Sequence, residues 1–233
     1  MRLRTVGLIG GLSWESSAIY YRMINQGIRD AAGAGRSAPL LMYSYDFEEM
    51  NALVQREAWL QAGEGIGAVA ARLERAGAEA IALCCNTLHV AAGEIVRRIG
   101  VPFLDITRET TLAAAKAGHR KALLLGTGFT MSRSFFRDCL ESAGIAAMVP
   151  ADDGIAELNR IIFEELTRGV VSDSSRAMVG RILRAARERG ADCGILGCTE
   201  LGMLISRNDA SPLPLLDTLS IHVGSIIRFV LGG

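Results

Sequence analysis

Two short stretches of this chain pair a cysteine with small polar residues in a way that could do chemistry. They are IALCCNTLH over residues 81–89 and CGILGCTEL over residues 193–201. In each, an apolar run ends at a cysteine, Cys85 or Cys198, and Asn86-Thr87 or Thr199-Glu200 follows at once. A thiol in such a place is an inert core residue, part of a metal or redox site, or a catalytic group whose thiolate is tuned by its neighbours. The five cysteines (Cys84, Cys85, Cys139, Cys193 and Cys198) include no C-x-x-C, and the interval from 193 to 198 matches no common zinc spacing. A site made of Cys84, Cys85 and His89 ranks below the other readings, so no metal is expected. An odd cysteine count without small-domain spacing points to reduced thiols and a cytoplasmic protein.

Bulk properties narrow the function further. The 233 residues include 25 basic and 25 acidic ones, for a net charge of zero, and half are hydrophobic. That composition supports a globular core and gives no global field for nucleic acid or an anionic membrane. No apolar stretch is long enough to span a bilayer. The apolar run in MRLRTVGLIGG is too short for a signal peptide and flows into a first strand.

The elements that must position the cysteines can be read next. Short Val/Ile/Leu runs at 6–11, 38–44, 80–86, 102–106, 121–128, 193–198 and 214–218 predict doubly buried parallel strands. Helical spacing is expected at 15–31, 57–76, 132–143, 154–168, 174–190 and 219–231. The alternation predicts an α/β fold.

The chain also repeats itself. Gly77-Ala78-Glu79 leads into the Cys85 strand and Gly190-Ala191-Asp192 into the Cys198 strand, with the cysteines 113 residues apart. VPFLDI (101–106) matches LPLLDT (213–218) at an offset of 112, and the strands ending at Gly10 and Gly126 match at 116. Three landmarks in one order predict two similar halves with mainly parallel sheets. Their expected bounds are 1–112 with 219–233, and 113–218, with the active site in the cleft between them. Ligands of open parallel sheets bind beyond the carboxyl ends of strands, where both cysteines fall. Two acid/base groups on opposite faces of a stereocentre suit inversion of configuration.

The motifs LIGGLSWESS, LCCNTLH and GCTEL resemble those of the aspartate/glutamate racemase family over essentially the whole chain. The resemblance implies a cofactor-independent amino-acid racemase with Cys85 and Cys198 as its catalytic pair, Cys198 working on the L face and Cys85 on the D face. It implies a homodimer, an amino-acid substrate and no cofactor. Asn86, Thr87 and Thr199 would contact the substrate, joined by Gly11 and Leu12 of the first loop and by Thr127 of its counterpart. Glu200 would influence the Cys198 thiol or help organise the hole, with a surface cap as the alternative reading. Cys84, aligned with Gly197, would be structural. The first loop lacks the G-x-G-x-x-G pattern, so no dinucleotide is expected. Ser13 and Glu15 are cap candidates, and Asp46, at the end of a predicted strand, either lines the cleft or serves a turn. His89 is placed to tune Cys85 or to pack. Relatives often carry a basic residue after a segment like FEEL; here Thr167 stands there, with Arg168 next and Arg56 the nearest cation after the second strand. A neutral or broad set of substrates is therefore open beside aspartate and glutamate. Hydantoin-racemase or maleate-isomerase chemistry, and a non-catalytic thiol protein, remain alternatives.

Overall fold

A computed structural model describes residues 2–205 and 211–233. It divides into two compact units, Met1–Ile106 with Leu219–Gly233, and Thr107–Thr218.

The first unit is built on β1 (Val6–Gly10), β2 (Leu40–Ser44), β3 (Ala80–Leu83) and β4 (Phe103–Leu104). Its helices are α1 (Trp14–Ala32), α2 (Phe47–Gln55), α3 (Trp59–Arg75) and α4 (Ala92–Val96), with a 3-10 turn at Thr87–Ala91. The helix α5 (Ile106–Lys116) leads into the second unit. That unit carries β5 (Lys121–Leu125), α6 (Gly128–Ser132), α7 (Ser134–Ser142), β6 (Ala146–Met148), α8 (Asp152–Arg160), α9 (Asp173–Glu188), β7 (Cys193–Leu196), α10 (Leu201–Leu204) and β8 (Leu215–Asp217). The final helix, α11 (Thr218–Leu231), returns the chain to the first unit.

Each unit has one four-stranded, all-parallel sheet, ordered β2-β1-β3-β4 and β6-β5-β7-β8. The second order is the first repeated, so the expected α/β fold with two similar halves is what the chain forms. Of the four central strands, β1, β3 and β7 are buried along their length and β5 from Ala122 onward, as continuous apolar runs require. Alternation sends Val6, Leu8, Ala82 and Cys84 to a core shared with Tyr20, Ile24 and Ile28 of α1 and Val223, Ile226 and Val230 of α11. In the second unit Leu123, Leu125, Leu196 and Cys198 face α8 and α9, while Ala122, Leu124, Cys193 and Ile195 face Phe136 and Leu140 of α7.

Three departures from the sequence reading have local causes. The helix expected at 57–76 begins at Trp59 and is preceded by a separate helix, α2, which Asp46 starts by accepting a hydrogen bond from Glu48 N–H at 2.8 Å. The strand expected at 102–106 is only two residues long, because Ile106 already opens α5. The helix expected at 154–168 passes into a π turn at Ile161–Glu165 and a 3-10 turn at Leu166–Arg168. The Thr167 hydroxyl donates to the Phe163 carbonyl at 2.9 Å there, the back-bonding that bends helices, and Gly169 then ends the segment at a φ of 72°.

The loop after β1 depends on one glycine. Gly11 has a φ of 79°, and a Cβ there would sit 2.2 Å from the Tyr45 carbonyl oxygen and 2.4 Å from the Tyr45 nitrogen. Both are backbone atoms held by the bond from Tyr45 N–H to the Gly10 carbonyl at 3.0 Å. Gly11→Ala is therefore expected to cost more than about 2 kcal/mol, from the left-handed backbone and the clash together, read as a lower urea midpoint at unchanged m-value.

Candidate active site

Strand order locates the functional end of each sheet. In the order β2-β1-β3-β4 the chain winds one way from β1 and then the other, so the switch point lies between β1 and β3. Ligands of such sheets bind in the crevice that opens there beyond the carboxyl ends. Ile9 pairs with Leu83, and two residues past Leu83 stands Cys85. In the second unit the switch point lies between β5 and β7; Leu125 pairs with Leu196, and two residues past Leu196 stands Cys198. Each cysteine thus holds the same place in its own sheet.

In the first unit the glycine loop and the Cys85 turn lie side by side. Gly11 N–H donates to Ser17 Oγ at 2.9 Å, so that amide serves the turn. Ser13 caps α1 by accepting from Ser16 N–H, and Ser17 Oγ donates to the Ser13 carbonyl at 3.0 Å. Leu12 is half-buried beside them. Cys85 is partly exposed, whereas Cys84 points into the core and burial, reinforced by Cys85, pushes its thiol well above the usual range. Asn86 is buried and Thr87, partly exposed, opens the 3-10 turn.

His89 fixes this turn from behind. Its Nδ1 lies 2.6 Å from the Cys85 carbonyl oxygen, and Ile106 N–H donates to its Nε2 at 3.3 Å. An amide can only donate, so Nε2 is the bare nitrogen and Nδ1 carries the proton that Cys85 accepts. Both nitrogens are engaged by backbone, which leaves none for a metal ion. Burial lowers the His89 pKa despite Asp105 nearby. His222 repeats the pattern: its Nε2 lies 2.8 Å from the Leu104 carbonyl, so its Nδ1 accepts from the Tyr20 hydroxyl at 2.9 Å. Tyr20, His89 and His222 thus brace the ends of β3 and β4. Sequence reasoning missed Tyr20 and His222, since a contact across 202 positions leaves no local pattern.

This bracing has a pH signature. Burial, then the neighbouring His89, lowers His222 to about 3. A histidine depressed in the fold contributes stability above its unfolded pKa near 6.5 and loses it as pH falls. Between pH 6.5 and 3 the unfolding free energy should therefore fall by up to about 1.4 kcal/mol per pH unit from this group. His222→Gln should flatten that slope in urea titrations.

In the second unit Cys198 is 7% exposed, and its Sγ–H donates to Glu200 Oε2 at 3.0 Å. The Thr199 hydroxyl donates to the same oxygen at 2.8 Å. Glu200 is itself only 5% exposed, which removes the surface-cap reading of that residue. A buried carboxylate in contact with a thiol is an acceptor for its proton. Thr127 caps α6, accepting from Thr130 N–H at 3.2 Å, and Gly128 N–H donates to Asn159 Oδ1 at 2.8 Å. Asn159 was not among the sequence candidates. Thr218 Oγ donates to the Leu196 carbonyl at 2.7 Å and steadies the end of β7.

The candidate cations Arg56 and Arg168, and the neighbouring Arg160, have other surroundings. Arg56 closes α2, and Arg168 is exposed at the end of the 3-10 turn. Arg160, eight residues before Arg168, is held by Glu157 at 2.7 Å and Glu165 at 2.9 Å.

The family model described as Asp/Glu/Hydantoin racemase matches residues 9–226, nearly the whole of both units. The chain belongs to that family. This member is 38% identical to a candidate Asp/Glu racemase of Yersinia pestis, with a TM-score of 0.91 over 98% of this chain and 100% of that one. An aspartate racemase homologue from Pyrococcus horikoshii OT3 is 34% identical, with a TM-score of 0.85 over 98% and 100% of the two chains. The broad specificity amino-acid racemase RacX of Bacillus subtilis (strain 168) is 28% identical over 149 residues, which are 64% of this chain and 63% of that protein. The match to the curated relative therefore spans a little under two thirds of its length. Among the described residues no helix is long and apolar enough to cross a membrane.

Proposed function

We propose that the protein is a cofactor-independent amino-acid racemase in which Cys85 and Cys198 are the two acid/base groups. The observation that carries this reading is the equivalent placement of the two thiols, each two residues past the paired end of a central strand at its sheet's switch point. A thiolate removes the α-proton and becomes S–H; the electron pair left on carbon delocalises into the substrate carboxylate. The second thiol then delivers its proton to the opposite face and is left as thiolate. Each turnover therefore exchanges the protonation states of the two cysteines.

The polar residues have roles in the same reading. Glu200 receives the Cys198 proton when that residue must act as base. Asn86, Thr87 and Thr199 hold the amino and carboxylate groups, with Thr127 and the Gly11-Leu12 loop completing the contacts. His89 holds Cys85 in register through its carbonyl. The substrate is a neutral or varied amino acid rather than a strictly acidic one, because a buried distal carboxylate needs a cationic partner. Arg160 is already neutralised by Glu157 and Glu165, and Arg168 is exposed. The name of the Bacillus subtilis relative, a broad specificity amino-acid racemase, supports this choice. The protein acts in the cytoplasm as a homodimer, the assembly being checked by light scattering of the purified chain.

An α-deuterium exchange screen tests the proposal. Single enantiomers of acidic and neutral amino acids are incubated with the protein in D2O without pyridoxal phosphate. Exchange at the α-carbon of several neutral amino acids is expected. Exchange restricted to aspartate and glutamate would overturn the specificity, and none at all would overturn the activity.

A further inference from the structure

At the amino end of β7, opposite the Cys198 end, three side chains of different chemistry meet. His119 Nδ1 lies 3.2 Å from Asp192 Oδ1, and the Cys193 thiol faces the same carboxylate. One ligand atom from each lies within 4.8 Å of the others. From this arrangement we propose that His119, Asp192 and Cys193 bind a zinc-class divalent transition ion, one per chain, with water completing the coordination.

The repeat shows why these residues exceed what the fold needs. Both units use an acidic residue before the third strand to tie down the first. In the first unit Glu79 Oε2 accepts from Thr5 N–H at 2.8 Å and Oε1 from Arg2 at 3.0 Å, so both oxygens are used. The next residue there is Ala80. In the second unit Asp192 Oδ2 alone does this work, accepting from Arg120 N–H at 2.7 Å and Lys121 N–H at 3.2 Å. Asp192 Oδ1 is buried and receives no well-aligned hydrogen bond. At the positions that match Leu3 and Ala80 of the first unit, neither of which can ligate, the second has His119 and Cys193, which can. His119 and Asp192 have side-chain exposures of 15% and 39%, so the pair borders solvent, while Asp192 Oδ1 and Cys193 lie on its buried side.

The geometry suits the ion. Zinc bonds to nitrogen and oxygen of about 2.0–2.2 Å place two tetrahedral ligands a little over 3 Å apart, the separation of His119 and Asp192. The sulfur closes in by a side-chain rotation. Imidazole, carboxylate and thiolate together are a borderline-soft set that favours zinc or cobalt over magnesium or calcium. Binding forms the metal–sulfur bond and releases the Cys193 thiol proton to water. The strand between Cys193 and Cys198 is about 16 Å long at ~3.3 Å per residue, so an ion here leaves the Cys198 end free.

Zinc titration of the full-length chain against a chromophoric chelator tests the site, with cobalt(II) as a spectroscopic probe. Cys85 and Cys198 are replaced by serine throughout, so that they cannot supply ligands. One equivalent of zinc is expected, with a cobalt–thiolate charge-transfer band and a Tm raised by about 5–10 °C at a hundredfold excess over Kd. Cys193→Ser should abolish the band, and His119→Gln should weaken zinc binding by about tenfold or more. His119→Gln also keeps the test decisive if Cys193→Ser fails to fold. No zinc binding, or binding equally tight in His119→Gln, would overturn the proposal.

Discussion

Replacing either Cys85 or Cys198 by serine is expected to lower racemisation by about 10²–10⁴-fold, the range that a positioned acid or base contributes. Secondary structure and Tm should stay close to those of the parent, since each substitution exchanges one atom. The two variants should also differ from one another. With one thiol left, α-proton exchange should persist only for the enantiomer whose hydrogen faces that thiol, so the preferred enantiomer should invert between them. Cys84→Ala supplies the control. Cys84 is buried in the core with an unreactive thiol and should leave turnover nearly unchanged. Loss of activity in Cys84→Ala with a silent Cys198→Ser would instead favour an adjacent-thiol redox protein.

Glu200→Gln carries the second large effect, a fall in kcat of about 10²-fold with KM little altered. The amide keeps the size of the carboxylate and can still accept from the Thr199 hydroxyl, so the local structure survives. It cannot take the proton of the Cys198 thiol, whose sulfur lies 3.0 Å from Glu200 Oε2. Glutamine would rescue a purely structural role. Near-parental kcat in Glu200→Gln would therefore remove Glu200 from the proton path and leave it as a loop anchor.

The residues that made the fold legible are those whose signal is local. Continuous apolar runs made seven of the eight strands visible, although the edge strands β2, β4 and β8 are only partly buried rather than covered on both faces as expected. The eighth, β6, is the three-residue Ala146–Met148, too short and too small-sided to stand out. Repeated exits such as Gly-Ala-Glu and Gly-Ala-Asp exposed the two halves because the same acid performs the same tie in each, Glu79 on Thr5 and Asp192 on Arg120 and Lys121. What stayed hidden was long-range or conformational. The pairing of Tyr20 with His222 joins helices at opposite ends of the chain, and the π turn at 161–165 has the composition of an ordinary helix. Of the candidate site, the two cysteines and Glu200 carried a sequence signal of their own. Asn159, which receives Gly128 N–H, belongs to α8 and had no marker of its own.

The isotope pattern of early turnover tests the two-thiol account most directly. A single protiated enantiomer is converted in D2O, and both enantiomers are analysed after a few per cent of reaction. Two separate bases predict that the product carries deuterium at the α-carbon from its first appearance, while the remaining substrate keeps its hydrogen. Product that retains the substrate's own α-hydrogen would show one group acting on both faces, and would contradict the assignment of Cys85 and Cys198 as a pair.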